Sequence, residues 1–491
     1  MQHVVALDEG TTSARALVFD EQARILGVDQ IPVQSSYPHD GWVEQDAERI
    51  WQAQSAALRR AIERSGVDIA SIAALGITNQ RETAIVWDRK TGEPICPAIV
   101  WQCRRTADAC RALLDAGHGP FVAERTGLVI DAYFSGPKIA WILDHVPDAR
   151  RRAEAGELAF GTVDSWLIWK LTGGRTHSID VTNASRTMLL NLETGAWDDD
   201  MLSLLGIPRP LLPTVAPSCG VVGLTDPSVL GREIPIAGVA GDQQAALFGQ
   251  ACFRPGMSKN TYGTGCFLLE HTGSQRPVSS HKMLATAASA PTGRAFALEG
   301  AIFIAGAAIQ WLRDSLGLLE SAAESAALAA SVPDTAGVYM VPAFVGLGAP
   351  HWDSNARGII TGLTQAARRE HLVRATLESI AYQARDLADA MEADSGAPLR
   401  ELRADGGAAA NDFLLQFQAD ILGCPVVRPA NVETTAAGAA FLAGLAVDVW
   451  SGTDEIEGFW KADRRFEPQM DAARRDELHA GWKKAIHRAR A

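Results

Sequence analysis

Three short stretches of this chain carry side chains whose types and spacing could do chemistry. The first is Asp8-Glu9-Gly10-Thr11-Thr12-Ser13, set between apolar runs at residues 4–7 and 14–20. A hairpin turn needs only a glycine or an asparagine, so the added carboxylates and hydroxyls ask for a ligand. Successive N–H groups in a tight Gly-Thr turn make a nest for an anion. A carboxylate beside such a nest repels a phosphate unless a cation stands between them, as Mg²⁺ does in phosphoryl transfer. The expectation is a nucleotide with Mg²⁺, Asp8 facing the metal. No GxxxxGK[ST] occurs, so a Walker P-loop is not the device.

The second stretch is Arg81-Glu82, opposite charges placed just after the apolar segment 74–79. On the surface they would be an ion pair of little consequence. Turned inward, they would offer a donor and an acceptor to neighbouring hydroxyls. In the third stretch Asp242 and Gln243 follow Gly241, where a strand ends and a helix begins. Position alone suits Asp242 as a helix N-cap.

Elements must hold these residues. Residues 4–7, 14–20 and 24–34 read as a meander of strands, and 74–79 and 83–88 as further strands. Residues 45–65 read as a helix, with Ile50, Ala53, Ala57, Leu58, Ala61 and Ile62 on one face. Segment 404–423 reads as strand, diglycine turn and helix, closed by Gly423. Strand-rich and helix-rich pieces alternate throughout, which predicts an α/β fold. At 491 residues the chain is too long for one core. The stretch NTYGTGCFLLE (260–270) repeats the opening pattern of strand, Gly-Thr turn and strand, and Pro255-Gly256 precede it. Two related domains, 1–250 and 251–491, are expected to face each other across a cleft, each offering one polar hairpin.

Composition narrows the partners. The 45 basic and 58 acidic residues give a net charge of −13 with no basic run, which argues against a nucleic-acid surface. The longest apolar stretch, 436–447, is broken by glycines and too short to cross a bilayer, so no membrane insertion is expected. The seven cysteines contain no CxxC pair, and no signal peptide is read before Val4; reduced thiols in a cytoplasmic protein are expected.

The segments GITNQRETAIVWD, IVWQCRRT, FGTVDSWLIWKLTGG, TNASRTML, AGDQQAALFGQ, NTYGTGCF and GLGAPHWDSNARG resemble the glycerol kinases of the FGGY carbohydrate kinase family. The likeness runs in consistent order from about Val4 to beyond Trp450. It implies two ribonuclease-H-like domains of the actin-like ATPase class around a central cleft. It also implies ATP-dependent phosphorylation of glycerol to sn-glycerol 3-phosphate, in glycerol uptake and catabolism. By the same resemblance Asp242 is the catalytic base, and Arg81, Glu82, Trp101, Tyr133, Asp242, Gln243 and Phe267 line the glycerol site. Trp101 and Phe267 would be flat walls for its carbons, and Tyr133 a hydroxyl contact. Thr11, Thr12, Ser13, Arg15, Thr264, Gly306, Gln310, Gly407 and Asn411 would hold ATP or ADP, with Asp8 toward Mg²⁺. The N-terminal domain would carry glycerol and the phosphate and metal side, the C-terminal domain the adenine side. A homodimer or homotetramer is implied.

The chain departs from the family in places. Glu9 stands where relatives mostly have Gln, adding a charge beside the phosphates that could reach Mg²⁺ through water or pair with an arginine. Pro137 replaces a common threonine. Some bacterial members are inhibited by fructose 1,6-bisphosphate at a glycine-rich loop; here 223–238 lacks the diglycine pairs and carries Asp226, Pro227 and a single Arg232. Inhibition is expected to be absent. Lys138, Asp164 and His351 receive no role, and no HxxxH or Cys/His spacing supports zinc. Two rival readings stand beside this one: an FGGY kinase for a pentulose or hexonate, and a non-enzymatic actin-like ATPase.

Overall fold

The computed structural model describes residues 2–491. Two mixed sheets dominate it. The first has six strands: β1 (His3–Glu9), β2 (Ser13–Asp20), β3 (Ile25–Pro32), β4 (Ile72–Asn79), β5 (Cys219–Leu224) and β6 (Pro235–Gly241), ordered β5-β6-β4-β1-β2-β3. The second has seven: β7 (Ser258–Tyr262), β8 (Cys266–Gly273), β9 (Leu284–Ala288), β10 (Ala295–Ile302), β11 (Leu402–Asp405), β12 (Val426–Pro429) and β13 (Ala462–Phe466), ordered β9-β10-β8-β7-β11-β12-β13.

The internal repeat is visible as topology. In the first sheet β1 pairs antiparallel with β2 and β2 with β3, while β4 and β6 add parallel on the other side of β1. In the second, β7 pairs antiparallel with β8 and β8 with β10, while β11 and β12 add parallel beyond β7. The same five-strand plan is used twice, and β1–β2 corresponds to β7–β8.

Strand β1 is apolar on both faces because both are covered. Val5 and Leu7 pack with helix α1 (Ala47–Ser65), whose inward side chains are Ile50, Ala53, Ala57, Leu58, Ala61 and Ile62. Asp46 starts α1 by accepting the N–H groups of Glu48 and Arg49, and Gly66 ends it in the left-handed conformation. Val4 and Ala6 face the opposite layer. There lie α2 (Asp242–Gly249), running on from β6, and a helix from late in the chain, Thr434–Ala446. Between them in sequence come α3 (Gly306–Asp314), α4 (Arg369–Ser395) and α5 (Asp412–Leu422), which cover the second sheet; the late helix is α6.

Helix α6 follows β12 of the second sheet yet packs on the first, among Ala74, Ala237 and Phe248. It meets α2 so closely that a Cβ built on Gly438 would lie 1.8 Å from the Ala245 carbonyl oxygen. On its other side α2 puts Leu247 against Leu269 and Ala297 of the second sheet. Asp242 therefore starts a helix clamped between the two halves. No helix among the described residues is long and apolar enough to cross a membrane.

Candidate active site

The first hairpin closes through Gly10 N–H to the Ser13 carbonyl, 2.9 Å. Thr11 turns inward: its hydroxyl accepts the Trp101 indole N–H at 2.9 Å, and Gln45 donates to its carbonyl at 2.6 Å. Thr12 is exposed, and Ser13 opens β2. Arg15 lies across the hairpin from Asp8 and donates to Asp8 Oδ2 at 2.6 Å; its other partner is Glu433, also at 2.6 Å, just ahead of α6. Asp8 Oδ1 has no hydrogen-bond partner among the described residues.

Glu9 corrects the expectation drawn from its type. It is neither a solvated charge nor paired with an arginine. Neighbouring side chains of a strand point to opposite faces, so Glu9 turns away from Asp8 into the interior, where it is fully buried and neither carboxyl oxygen finds a partner. Burial, and then the adjacent Asp8, push its pKa well above the ordinary carboxylate range. Both effects favour its neutral, protonated form.

Arg81 and Glu82 follow β4 and are buried, so the surface-pair reading fails. Glu82 holds φ at +59°, a left-handed conformation that costs a non-glycine residue energy and that clusters at functional sites. Arg81 donates to both carboxylate oxygens of Glu299 on β10, at 2.5 and 2.9 Å, and its Nε lies 3.1 Å from Asp242 Oδ1. Arg186 reaches Glu82 at 2.6 Å and Glu299 at 3.0 Å. Two arginines are thus interleaved with three carboxylates, and Glu299 is contributed by the second sheet. Burial raises the pKa of Glu299, but Arg186 and Arg81 outweigh it and hold the group down at about 2.

Asp242 is the first residue of α2, with Gly241 in the N-cap place that the sequence reading gave to Asp242 itself. Its Oδ1 accepts the Gln243 backbone N–H at 2.8 Å. Burial raises its pKa, while Arg81, the Gln243 hydrogen bond and Lys259 pull the other way. The root of α2 is anchored by a buried acid pair. Asp180 accepts the Thr182 hydroxyl, and that hydroxyl in turn accepts Gly241 N–H at 2.9 Å. Asp164 holds the Asp180 N–H, and burial followed by Asp180 pushes it up to about 7. Lys138, likewise without a sequence-based role, donates to the carbonyls of Ala132 and Phe134 and so fixes the loop that presents Tyr133. His351 lies apart, 4.0 Å from Asp386.

The pieces converge on two cavities that share the Gly263-Thr264 turn as lining. One, of about 170 Å³, is lined by Thr11, Arg81, Glu82, Trp101, Tyr133, Asp242, Gln243 and Phe267. Trp101 stands edge-on to Tyr133 and Phe267, and Arg81 lies over the Phe267 ring. The other, of about 500 Å³, takes in Thr264, Gly306, Gln310, Gly407 and Asn411, with Ile309, Leu377 and Leu414 as apolar wall. Gly263 and Thr264, in the turn between β7 and β8, line both. Gly306 lets the start of α3 approach that turn; a Cβ there would come 2.6 Å from the Gly263 carbonyl. Thr12, Ser13 and Arg15 line neither cavity. A larger concavity of about 650 Å³, beside His351, Asp386 and Lys483, shares none of these residues.

The sequence reading missed Glu299, Arg186 and Lys259. The signal for Glu299 and Lys259 was a single charge inside an otherwise strand-like run. For Arg186 it was a lone arginine between the short helix at Val181–Ala184 and an apolar stretch.

Among the described residues no three His, Cys, Asp or Glu side chains gather as a metal cage. Mg²⁺ is commonly held by one or two carboxylates plus substrate phosphates and water. Asp8, with one oxygen uncommitted at the hairpin, fits that role.

A family model for the N-terminal domain of the FGGY family of carbohydrate kinases matches residues 3–249, and the model for its C-terminal domain matches 258–447. The chain is 57% identical to glycerol kinase 2 of Thermotoga maritima over 490 residues, covering 100% of this chain and 99% of that protein. It is 58% identical to a glycerol kinase of Symbiobacterium thermophilum over 489 residues, 99% of this chain and 98% of the other. Among solved structures, Plasmodium falciparum glycerol kinase with ADP matches at TM-score 0.92 and 34% identity, covering 100% of this chain and 98% of that one. A xylulose kinase of Lactobacillus acidophilus matches over 100% of this chain and 97% of its own at TM-score 0.87 but 21% identity, which speaks for the fold alone.

Proposed function

This chain belongs to the FGGY family of carbohydrate kinases, and we propose that the two neighbouring cavities carry out the family's reaction on glycerol. The activity is ATP-dependent phosphorylation of glycerol, giving sn-glycerol 3-phosphate and ADP. The observation that carries the site assignment is the placing of Asp242 in the smaller cavity, which meets the larger one at a glycine-threonine turn. The smaller cavity falls below the roughly 300–1,000 Å³ of drug-sized ligand sites and suits a three-carbon polyol better than a pentulose or hexonate. A nucleotide switch without catalysis would need no such cavity.

In this reading Arg81 and Glu82 hold the two hydroxyls that do not react. Trp101 and Phe267 confine the carbons, and Tyr133 and Gln243 complete the wall. Asp242 orients the third hydroxyl and takes its proton as the phosphoryl group arrives. Its raised pKa makes it a better base than an exposed aspartate, although in a loose transition state orientation counts for more. The larger cavity takes adenosine between Gly306, Gln310, Gly407 and Asn411, with Thr264 over the phosphates. The first hairpin meets the phosphates through Thr11, which lines the smaller cavity, and Thr12 and Ser13, outside both cavities, are assigned there by the resemblance alone. Arg15 acts there by holding Asp8. Mg²⁺, when bound, would be held by Asp8 and would screen phosphate charge.

We propose further that residues 1–250 supply the acceptor and phosphate side and 251–491 the adenine side, α6 being the segment that crosses back. A cytoplasmic location is supported by seven cysteines that are all free. Assembly as a dimer or tetramer is proposed from the resemblance and is read directly by sedimentation. Fructose 1,6-bisphosphate should not inhibit: Arg232 already donates to the carbonyls of Ile69, Ala70 and Glu233, and Asp226 is turned to Arg175 and to its own helix cap.

The test is ADP release with ATP, Mg²⁺ and a panel of glycerol, pentuloses and hexonates, glycerol being the expected substrate. Asp242→Asn should bind glycerol but lose about 10²–10⁴ in turnover. Turnover above half of the parent's would remove Asp242 from the role of base.

A further inference from the structure

Lys259 is a buried lysine that the mechanism above does not use. It stands on β7, in the second sheet, and is fully enclosed. An ammonium has three donors and no acceptor, and here each donor has a partner. Nζ reaches Gln243 Oε1 at 2.5 Å, Thr261 Oγ1 at 2.8 Å and the Phe267 carbonyl at 3.4 Å. The first contact crosses from the second sheet to α2.

That contact decides which way the Gln243 amide points. Since the lysine can only donate, the amide oxygen must face it, and the NH₂ must face the other way. On that side lies Asp242, whose Oδ2 accepts from Gln243 Nε2 at 3.1 Å. Oδ1 is held by the Gln243 backbone N–H and Arg81. Both oxygens of the carboxylate are thereby oriented, one of them through a chain that begins in the opposite domain.

We propose that Lys259 is a positioning residue for phosphoryl transfer, fixing the Gln243 amide and through it the Asp242 carboxylate, so that the base is fully set only while the two sheets are closed on each other. The proposal rests on the reading of Asp242 as the base. The charged groups that face Asp242 are Arg81 at the end of β4, Lys259 on β7 and Glu299 on β10. Lys259 itself is drawn down to about 8 by burial, against the pull of Asp405, Asp242 and Glu299.

The test compares Lys259→Met, Lys259→Gln and Asp242→Asn in the full chain, with thermal unfolding and MgATP binding as checks on folding. Lys259→Met should lower kcat about 10–100-fold, the loss typical when a partner that orients an active-site ligand is removed. KM for glycerol should stay within about threefold, since the contact serves the base and not the ground-state hydroxyls. The acid limb of the kcat–pH profile should move to higher pH, because the carboxylate has lost a facing cation. Lys259→Gln restores a donor without the charge and should keep the shifted limb; it carries the test if the methionine variant does not fold. A folded Lys259 variant with kcat within about twofold of the parent and an unmoved acid limb overturns the proposal. If Asp242→Asn also keeps its turnover, the assignment of the base falls with it. If only the aspartate variant is inactive, the relay alone is wrong.

Discussion

At the scale of single residues, the site separates what type and spacing reveal from what they hide. The hairpin carboxylate, the Arg81-Glu82 pair and Asp242 stand out because polar groups interrupt apolar runs at turns. For Glu299 a lone charge in a strand-like run marks the residue but not its role, since its partner Arg81 is 218 residues away and nothing local announces the pairing. Glu9 was legible as a residue but not as a state. Its neighbour Asp8 turns to Arg15 across the hairpin, and the strand's alternation sends Glu9 the other way, into a place with no partner. This makes a prediction with a definite sign. A carboxyl whose folded pKa is raised binds more protons folded than unfolded, so stability is full below the ordinary carboxylate range and declines as pH climbs toward the raised value. Glu9→Gln keeps the neutral shape and removes the titration. Its melting temperature should match the parent's below about pH 4 and exceed it increasingly as pH rises from there, with MgATP affinity within about twofold because the group turns away from the hairpin's ligand side. Calorimetry at several pH values reads this; a gap that does not grow with pH would mean that Glu9 is charged in the fold.

At the scale of elements, strands and turns were read well where local chemistry specifies them. The predicted strands at 4–7, 14–20 and 74–79 lie within β1, β2 and β4, the helix at 45–65 is α1 less two residues, and the second Gly-Thr hairpin is β7–β8. The strand predicted at 83–88 forms only over Ile85–Asp88, since Glu82 takes a left-handed turn first. The lodging of α6 was not legible. Its sequence, TTAAGAAFLAGLA, is apolar on every side and so has no preferred face. What directs it to the first sheet is its small side chains, which allow contact with α2 that a larger residue would forbid. Gly438→Ala should therefore act on both stability and catalysis. With a Cβ 1.8 Å from a carbonyl oxygen, the helices must part, at a cost of about 1–3 kcal/mol or more, and α2 carries Asp242. Gly458→Ala, in an open helical position with nothing near its Cβ, is the control and should be neutral or stabilising by at most about 1 kcal/mol. Equal melting temperatures and equal kcat for the two variants would show that α2 and α6 have room to spare.

At the scale of the whole molecule, the halves are joined by charge as well as by apolar contact. Glu299 comes from the second sheet, and its two partners, Arg81 and Arg186, come from the first half. Removing one member of such a buried set leaves uncompensated charge, which typically costs about 3–5 kcal/mol. The pH dependence again has a sign, opposite to that of Glu9. Burial alone would raise the Glu299 pKa, but the two arginines bring it down to about 2. A depressed folded pKa contributes stability that is present above the ordinary carboxylate range and is lost as pH falls toward the folded value. Glu299→Gln should therefore melt well below the parent at pH 7, and the difference should shrink between about pH 4.5 and pH 2 as the parent's own carboxylate takes up a proton. The loss should also show as shape. Because Arg81 lines the acceptor cavity, glycerol and ATP together should compact the parent more than either does alone, and the variant less, as measured by small-angle scattering in all four ligand states. A melting difference that is constant with pH, or an identical compaction in the variant, would mean that the arginines find other partners and that apolar contact alone joins the halves.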